Sequence, residues 1–263
     1  MLKQRKYSSN VTFIKDFGGK RIKVVTMKTV RNSGVEDEEE QRAAKGTVNT
    51  EKLDENISRA RSKIFEYAFC NPWEYFCTFT INKEKNNRYD LDAYHSRFSQ
   101  FIRNFNRNNN CNIKYLLIPE QHEDGAWHEH GFLMGLPKEH LHLFNAEIET
   151  LPYYIREKLF NMQEVYNWKA YENSFGWNDL EPIRNAEACS KYITKYISKS
   201  LAVSVKEINS HLYYCSKGLN KAVLIKKGLL LDEVAYTFEN DYCRIAWLDY
   251  DEKAIENFMN NIL

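Results

Sequence analysis

The sequence predicts an α+β fold with a central antiparallel sheet and helices packed on one of its faces. Two patterns predict it. Runs of β-branched and aromatic residues alternate along the chain with segments whose apolar residues recur every three or four positions. Two of the strand-like runs are joined by a short turn, as in an antiparallel hairpin. The 263 residues, 43% of them hydrophobic, suffice for a buried core in one large or two small domains and exclude a disordered chain.

The first predicted segment, residues 1–48, is a basic hairpin followed by an acidic linker. Two β-rich runs flank a turn that contains Gly18 and Gly19, which is the signal of a hairpin. Residues 1–34 carry nine basic side chains and one acidic one, a local charge of +8. The acidic run at 36–40 has no apolar periodicity and is interpreted as a solvated linker or the start of an exposed helix.

The second predicted segment, residues 49–220, contains the core sheet. Its elements are predicted in this order: a helix over 49–68, a strand over 75–81, a helix over 91–108, strands over 113–120 and 127–136, two helical pieces over 138–170 separated at Pro152, a strand over 177–183 and a helix over 186–200. The order β-α-β-β-α-β is typical of ferredoxin-like and RNA-recognition-motif (RRM) cores. Residues 221–263 are predicted to form a C-terminal extension packed on this core.

Several classes of protein are excluded by what the sequence lacks. No apolar run approaches the ~18–20 residues that a membrane span needs, and the basic N-terminus has no apolar segment of the secretory kind. The six cysteines form no C-x-x-C pair and are interpreted as free thiols in a reducing compartment, so we expect a cytoplasmic protein with no membrane partner. The absence of G-x-x-x-x-G-K-[ST] and of H-E-x-x-H argues against a helicase and a zinc peptidase.

A candidate metal site begins with His128 and His130 in a predicted strand. Side chains two positions apart on a strand point to the same face, so both imidazoles can reach one metal ion. The rival pair, His140 and His142, follows Pro137 at a predicted helix start, where the two side chains diverge. That pair is therefore assigned to surface or capping roles.

The third metal ligand has two candidates. The hairpin turn folds Glu120 back beside His128, and strand parity places His122 on the same side as Glu120. We prefer Glu120 because a carboxylate better matches a metal that handles phosphate. Two imidazoles and a carboxylate suit Mg²⁺, Mn²⁺ or another divalent ion and leave positions open for water or a phosphate oxygen.

A second set of candidates lies on the predicted helix over 186–200. Tyr192 and Tyr196 are four residues apart, as are Lys195 and Lys199, so each pair shares a helix face and the two faces adjoin. Tyrosines at this spacing are more often core residues, but alternation with lysines on a small and polar helix favours a chemical role.

A tyrosine that attacks phosphate needs help, because its ordinary pKa is about 10. A metal that polarises the phosphate and a cationic neighbour would supply that help. Attack on a DNA phosphodiester would give a 5′-phosphotyrosyl link and a free 3′-hydroxyl, and the bond energy would be kept for later rejoining. Two tyrosines on one helix could take turns.

Three blocks in chain order resemble the HUH endonuclease superfamily, in particular its rolling-circle replication initiators of the double-tyrosine phage and plasmid type. Residues 76–80 resemble its first motif, a hydrophobic-threonine strand. Residues 127–131, with sequence WHEHG, resemble its His-hydrophobic-His metal motif. Residues 192–199, with sequence YITKYISK, resemble its doubled-tyrosine motif. The resemblance covers roughly residues 60–220.

The resemblance implies a metal-dependent, site-specific endonuclease that nicks and joins single-stranded DNA at an origin of replication. Carried over by position, the functional residues are a metal set, His128, His130 and Glu120, and a tyrosine–lysine set, Tyr192, Tyr196, Lys195 and Lys199. The tyrosines would be the nucleophiles, and the lysines would contact phosphate or the metal-bound water. A separate helicase would unwind the duplex, and the protein would act in the cytoplasm of a bacterial host cell.

One residue departs from the pattern of the superfamily. The position between the two histidines is usually apolar because it faces the helices beneath the sheet, and in this chain it is Glu129. Three explanations are open: that face is locally open, Glu129 pairs with a base, or the strand is irregular.

Two alternative functions use the same features. A relaxase or a single-strand transposase of the superfamily would differ in the DNA that it recognises. A non-catalytic single-stranded nucleic-acid-binding module would stack bases on aromatic side chains of the sheet without a metal. The net charge of +1 averages unlike parts, since residues 186–227 carry a local +6 and residues 138–181 a local −4. The basic regions can contact phosphates.

Overall fold

The structure, a computed structural model, describes residues 7–32, 50–198, 201–202, 204, 211–231, 234–260 and 262. It confirms the α+β fold, with two antiparallel sheets. The chain divides into two compact units. Residues 1–43 and 220–263 form one of them, called here the terminal unit, and residues 44–219 form the other, the central unit.

The strands are β1 (Tyr7–Phe17), β2 (Arg21–Arg31), β3 (Tyr75–Thr80), β4 (Lys114–Gln121), β5 (Trp127–Met134), β6 (Leu141–Leu143), β7 (Tyr166–Trp168), β8 (Asn178–Pro182), β9 (Tyr214–Cys215), β10 (Val223–Leu229), β11 (Phe238–Glu239) and β12 (Cys243–Asp249). The helices are α1 (Thr50–Cys70), α2 (Leu91–Asn109), α3 (Tyr153–Phe160), α4 (Lys169–Ser174), α5 (Ala186–Ile193) and α6 (Glu252–Asn260).

The terminal unit joins the two ends of the chain in one five-stranded sheet, with the order β10-β1-β2-β12-β11. The N-terminal hairpin forms as predicted, with β1 and β2 paired around the turn at Gly18 and Gly19. The sequence analysis assigned the two ends to separate segments. Instead, β10 pairs with β1 and β12 with β2. An isolated hairpin leaves two rows of unpaired backbone groups and is marginally stable, so strands from the other end of the chain complete it.

The central unit contains a seven-stranded sheet with the order β6-β7-β8-β3-β5-β4-β9. Its middle is compatible with a ferredoxin-like core, because the crossover β3-α2-β4 leaves a gap that β5 fills, and β8 adds on the outer side of β3. The predicted order β-α-β-β-α-β is therefore confirmed. The strands β6, β7 and β9 extend this middle on both sides.

The two faces of the central sheet differ in their covering. Buried and half-buried side chains alternate along β3. On the covered face, the ring of Phe79 lies 5.8 Å from that of Phe98 in α2 and 4.3 Å from that of Tyr171 in α4, measured between centroids. On the other face, Thr78 and Thr80 line a cleft of about 1010 Å³.

Residues 138–170 differ from the two predicted helical pieces. The chain makes a 3-10 turn at Lys138–His140 and a short strand, β6, before α3 begins after Pro152. Leu141 pairs with Trp168, so this segment widens the sheet instead of forming a helix. Strands of three residues carry too little periodicity to be recognised, because the pairing that creates them is long-range.

Gly131 marks the closest approach of β5 to β4. A Cβ atom at this position would lie 2.0 Å from the carbonyl oxygen of Leu116, a backbone atom. We expect Gly131→Ala to lower the free energy of unfolding by about 3 kcal/mol, because a rigid neighbour has to move. In the control, Gly125→Ala, the Cβ would meet nothing closer than 3.8 Å, so only the strain of its positive φ of 82° remains, about 1 kcal/mol. Urea unfolding measures both, and equal losses would contradict the clash.

Two exclusions drawn from the sequence can be compared with the structure. Within the described residues, no helix combines the length and apolarity needed to cross a membrane. All six cysteines carry free thiols.

Candidate metal and nucleophile site

The register of three strands aligns the candidate metal ligands with two threonines. Thr78 lies directly opposite His130, and Thr80 lies opposite His128. On the other side of β5, Glu120 lies opposite His128. All five side chains line the cleft on the uncovered face of the sheet.

The threonines orient the two imidazole rings. The Oγ1 atom of Thr78 lies 3.4 Å from Nδ1 of His130, and that of Thr80 lies 3.3 Å from Nδ1 of His128. Each Nδ1 atom therefore faces β3, and each Nε2 atom remains for other partners. A histidine whose second nitrogen is held in this way is typical of metal-binding sites.

The third-ligand candidates each approach one histidine. The Nε2 atom of His130 lies 2.8 Å from Oε2 of Glu120. The ring of His122 lies 3.9 Å from that of His128, between centroids. In the described part of the chain, no group of three or more His, Cys, Asp or Glu side chains is gathered as a metal cluster. The four candidates thus form two adjacent pairs.

The environment favours the neutral form of both histidines. Burial, followed by the nearby His122, lowers the pKa of His128 to about 4. Burial also lowers the pKa of His130, against the opposing effect of Glu120. Neutral imidazole is the form that binds a metal.

The two candidate tyrosines meet over the cleft although they do not share one continuous helix. α5 ends at Ile193, and Tyr196 lies in a 3-10 turn, so the predicted helix over 186–200 is interrupted. The guanidinium group of Arg61 donates to the carbonyl oxygen of Ile197 at 2.6 Å, which holds the backbone in this non-helical course. The two phenol oxygens, of Tyr192 and Tyr196, still lie 3.0 Å apart.

Tyr196 connects the tyrosine pair to the histidines. Its ring stacks on that of His130, with centroids 4.4 Å apart and an angle of 18°. Burial, followed by the hydrogen bond with Tyr192, raises the pKa of Tyr196 well above its usual value. Tyr192 is 46% exposed and packs edge-on against Phe76 of β3. One phenol is thus held on a candidate metal ligand, and the other faces solvent.

The predicted lysines differ in what can be said of them. The Nζ atom of Lys195 lies 5.5 Å from the ring centroid of Tyr192, a cation–π distance. Lys199 lies outside the described residues. Lys191, which the sequence analysis did not select, also lines the cleft and pairs with Glu187 at 2.8 Å.

Glu129 is explained by a partner on the covered face of the sheet. Its side chain is fully buried, and its Oε1 atom accepts from Nε2 of His95, in α2, at 2.5 Å. The other oxygen, Oε2, has no hydrogen-bond partner in the described structure. Of the three explanations, pairing with a basic side chain is the one observed. The partner was not identifiable from the sequence, because His95 lies 34 residues away on a helix.

Sequence reasoning missed a polar group at the β8 side of the cleft. Tyr154 donates to Asp179 at 3.0 Å, and Lys158 binds Glu181 at 2.7 Å. Burial raises the pKa of Asp179 to about 6. The sequence contained one signal, since two acidic residues alternate with apolar ones in a predicted strand.

These features define a class of protein: an antiparallel α+β core with an H-x-H pair and a tyrosine pair facing one cleft. Residues 74–201 match the model of a family described as replication-associated protein ORF2. The match begins just before β3 and includes every candidate site residue from Glu120 to Lys199. It is consistent with a rolling-circle replication initiator. Comparisons with curated proteins and with solved structures give no match.

Proposed function

We propose that the protein is a rolling-circle replication initiator that nicks and joins single-stranded DNA at an origin through a 5′-phosphotyrosine intermediate. The observation that carries the proposal is the contact between the two candidate sets. The ring of Tyr196 stacks on His130 at 4.4 Å, and its hydroxyl lies 3.0 Å from that of Tyr192. A similarity to replication-associated proteins over residues 74–201 supports the same assignment.

The donors in the cleft fit a divalent metal ion. His128, His130 and Glu120 would hold Mg²⁺ or Mn²⁺, with His122 as a further candidate. The fit rests on donor chemistry: two neutral imidazoles, held at Nδ1 by threonines, stand beside a carboxylate. Such an ion, when bound, supplies Lewis-acid polarisation of the scissile phosphate.

The reaction assigned to the tyrosines is a transesterification. The phenol oxygen of Tyr192 or Tyr196 attacks phosphorus, the bond from phosphorus to the 3′ oxygen breaks, and this oxygen leaves as a 3′-hydroxyl after taking up a proton. The phenol loses its proton, so the step is balanced. In the joining step, a 3′-hydroxyl attacks the phosphotyrosine and restores the phenol. Lys195, beside the ring of Tyr192, would contact the phosphate.

The decisive experiment is the trapping of a covalent adduct. The protein is incubated with a library of single-stranded oligonucleotides of random sequence, labelled at the 3′ end, in the presence of Mn²⁺. Because the 5′ phosphate of the downstream fragment is transferred, the label should migrate with the protein on a denaturing gel. EDTA should abolish the adduct. DNA binding that is insensitive to EDTA, with no adduct, would instead favour the non-catalytic binding module.

The metal ligands can be tested without DNA. We expect His128→Ala and His130→Ala each to weaken Mn²⁺ binding by about 100-fold, since each removes a ligand, while loss of an outer-shell partner already costs 10–100-fold. The measurement is a titration of free Mn²⁺ by electron paramagnetic resonance. His142→Ala serves as the control, because His142 lies in β6 and binds Glu149 away from the cleft. Equal affinities in all three variants would contradict the ligand assignment.

A further inference from the structure

A buried carboxylate lies two strands away from His130, in register with it. Asp179 of β8 is directly opposite Thr78 of β3, and Thr78 is directly opposite His130 of β5. The three side chains therefore form a row across the sheet on the cleft side. Asp179 is only 1% exposed, so what it does there depends on the groups that contact it.

The hydrogen bonds in this row have a direction. Asp179 accepts from the hydroxyl of Tyr154 at 3.0 Å and is also hydrogen-bonded to the side chain of Thr78. A threonine hydroxyl has a single proton. If Thr78 donates that proton to Asp179, it can only accept from Nδ1 of His130, at 3.4 Å. Nδ1 then carries the proton of the ring, and Nε2 keeps its lone pair.

We propose that Asp179 is a positioning residue that acts through Thr78 to hold His130 in the tautomer whose Nε2 can bind a metal ion. The inference rests on the proposed function, since it assigns a cause to the ligand state of His130. It adds a residue outside the metal and tyrosine sets.

The surroundings of Asp179 agree with its role as an acceptor. Its pKa of about 6, raised by burial and opposed by Lys158, leaves the carboxylate ionised at neutral pH. The charged groups that face it are Lys158 and Glu181, which bind each other at 2.7 Å. The second pair, Thr80 and His128, has no such row, because the backbone N–H of Thr80 bonds to Trp177, at the residue before β8 begins.

The test is a set of variants whose Mn²⁺ affinity is titrated by electron paramagnetic resonance. We expect Thr78→Val to weaken binding by about 10–100-fold and Asp179→Asn by about 10-fold, while Thr78→Ser, which keeps the hydroxyl, stays within about threefold of the wild type. In the Thr78→Val background, Asp179→Asn should have no further effect, because the path through the hydroxyl is already broken.

A second readout reports the tautomer itself. In metal-free protein with ¹⁵N-labelled histidine, Asp179→Asn should shift His130 from the Nδ1–H towards the Nε2–H form. The matched control is Glu181→Gln, which removes a neighbouring carboxylate on the same strand and should change neither readout by more than about twofold.

Wild-type affinity and an unshifted tautomer in Asp179→Asn would overturn the inference, as would an equal loss in Glu181→Gln. An additional loss in the double variant would also overturn it, because Asp179 would then not act through Thr78. The wild type separates this failure from that of the proposed function. Mn²⁺ binding and adduct formation by wild-type protein, with no effect of the variants, would refute only the role of Asp179.

Discussion

A variant that carries both Tyr192→Phe and Tyr196→Phe is expected to form no covalent adduct with single-stranded DNA. Phenylalanine has no oxygen to attack phosphorus, so the loss should be complete and not merely a reduction in rate. The fold should survive, because the change removes two hydroxyls whose mutual bond contributes only about 1 kcal/mol. Mn²⁺ affinity should also remain within about twofold of the wild type, since neither phenol belongs to the metal set.

The single variants show whether one or both tyrosines attack. Because the two hydroxyls lie 3.0 Å apart beside the same candidate ligand, we expect each single variant to retain an adduct through the other tyrosine. The control is Tyr153→Phe, whose side chain is 73% exposed on α3 and does not line the cleft. An adduct that persists in the double variant would remove both tyrosines as nucleophiles. An adduct lost in one single variant would leave the second phenol a structural role.

The second large effect is expected at the buried pair of Glu129 and His95. His95→Leu leaves the Glu129 carboxylate without its donor in a fully buried position, since its second oxygen already has no partner among the described residues. We expect the free energy of unfolding to fall by about 3–5 kcal/mol, the loss typical of a buried pair from which one partner is removed. Replacing both residues by leucine should cost markedly less, because no polar group is then stranded.

The natural control for this pair is a second histidine–glutamate contact in the same unit. His142 and Glu149 also meet at 2.8 Å, but their side chains are 42% and 25% exposed. His142→Leu should therefore cost less than about 1 kcal/mol. Urea unfolding of the three variants gives the comparison. If His95→Leu costs no more than His142→Leu, the buried pair does not stabilise the sheet as the geometry indicates.

Much of the central unit was predictable because its signals are local. The alternation in residues 75–80 and 127–134 identifies β3 and β5, and the same alternation places His128 and His130 on one face. The apolar spacing of residues 91–108 identifies α2 within one residue of its end. Each of these inferences needs only the covalent geometry of a strand or a helix.

Other features depended on contacts between distant segments. The union of the two chain ends in one sheet arises from backbone pairing between strands about 200 residues apart, which leaves no mark in either segment. The end of α5 before Tyr196 depends on Arg61, 136 residues upstream of the carbonyl that it binds. Local propensity alone continues that helix, and the tertiary contact interrupts it.

The sequence by itself determined the class of fold, the face of the sheet on which the histidines lie and the identity of the two candidate sets, because strand parity and motif spacing are properties of neighbouring residues. Only the tertiary structure decided that the tyrosines reach His130, that Glu129 has His95 as its partner, and that Asp179 lies in line with Thr78. These facts depend on which strands and helices become neighbours. Burial of the whole core selects that arrangement, and no single segment encodes it.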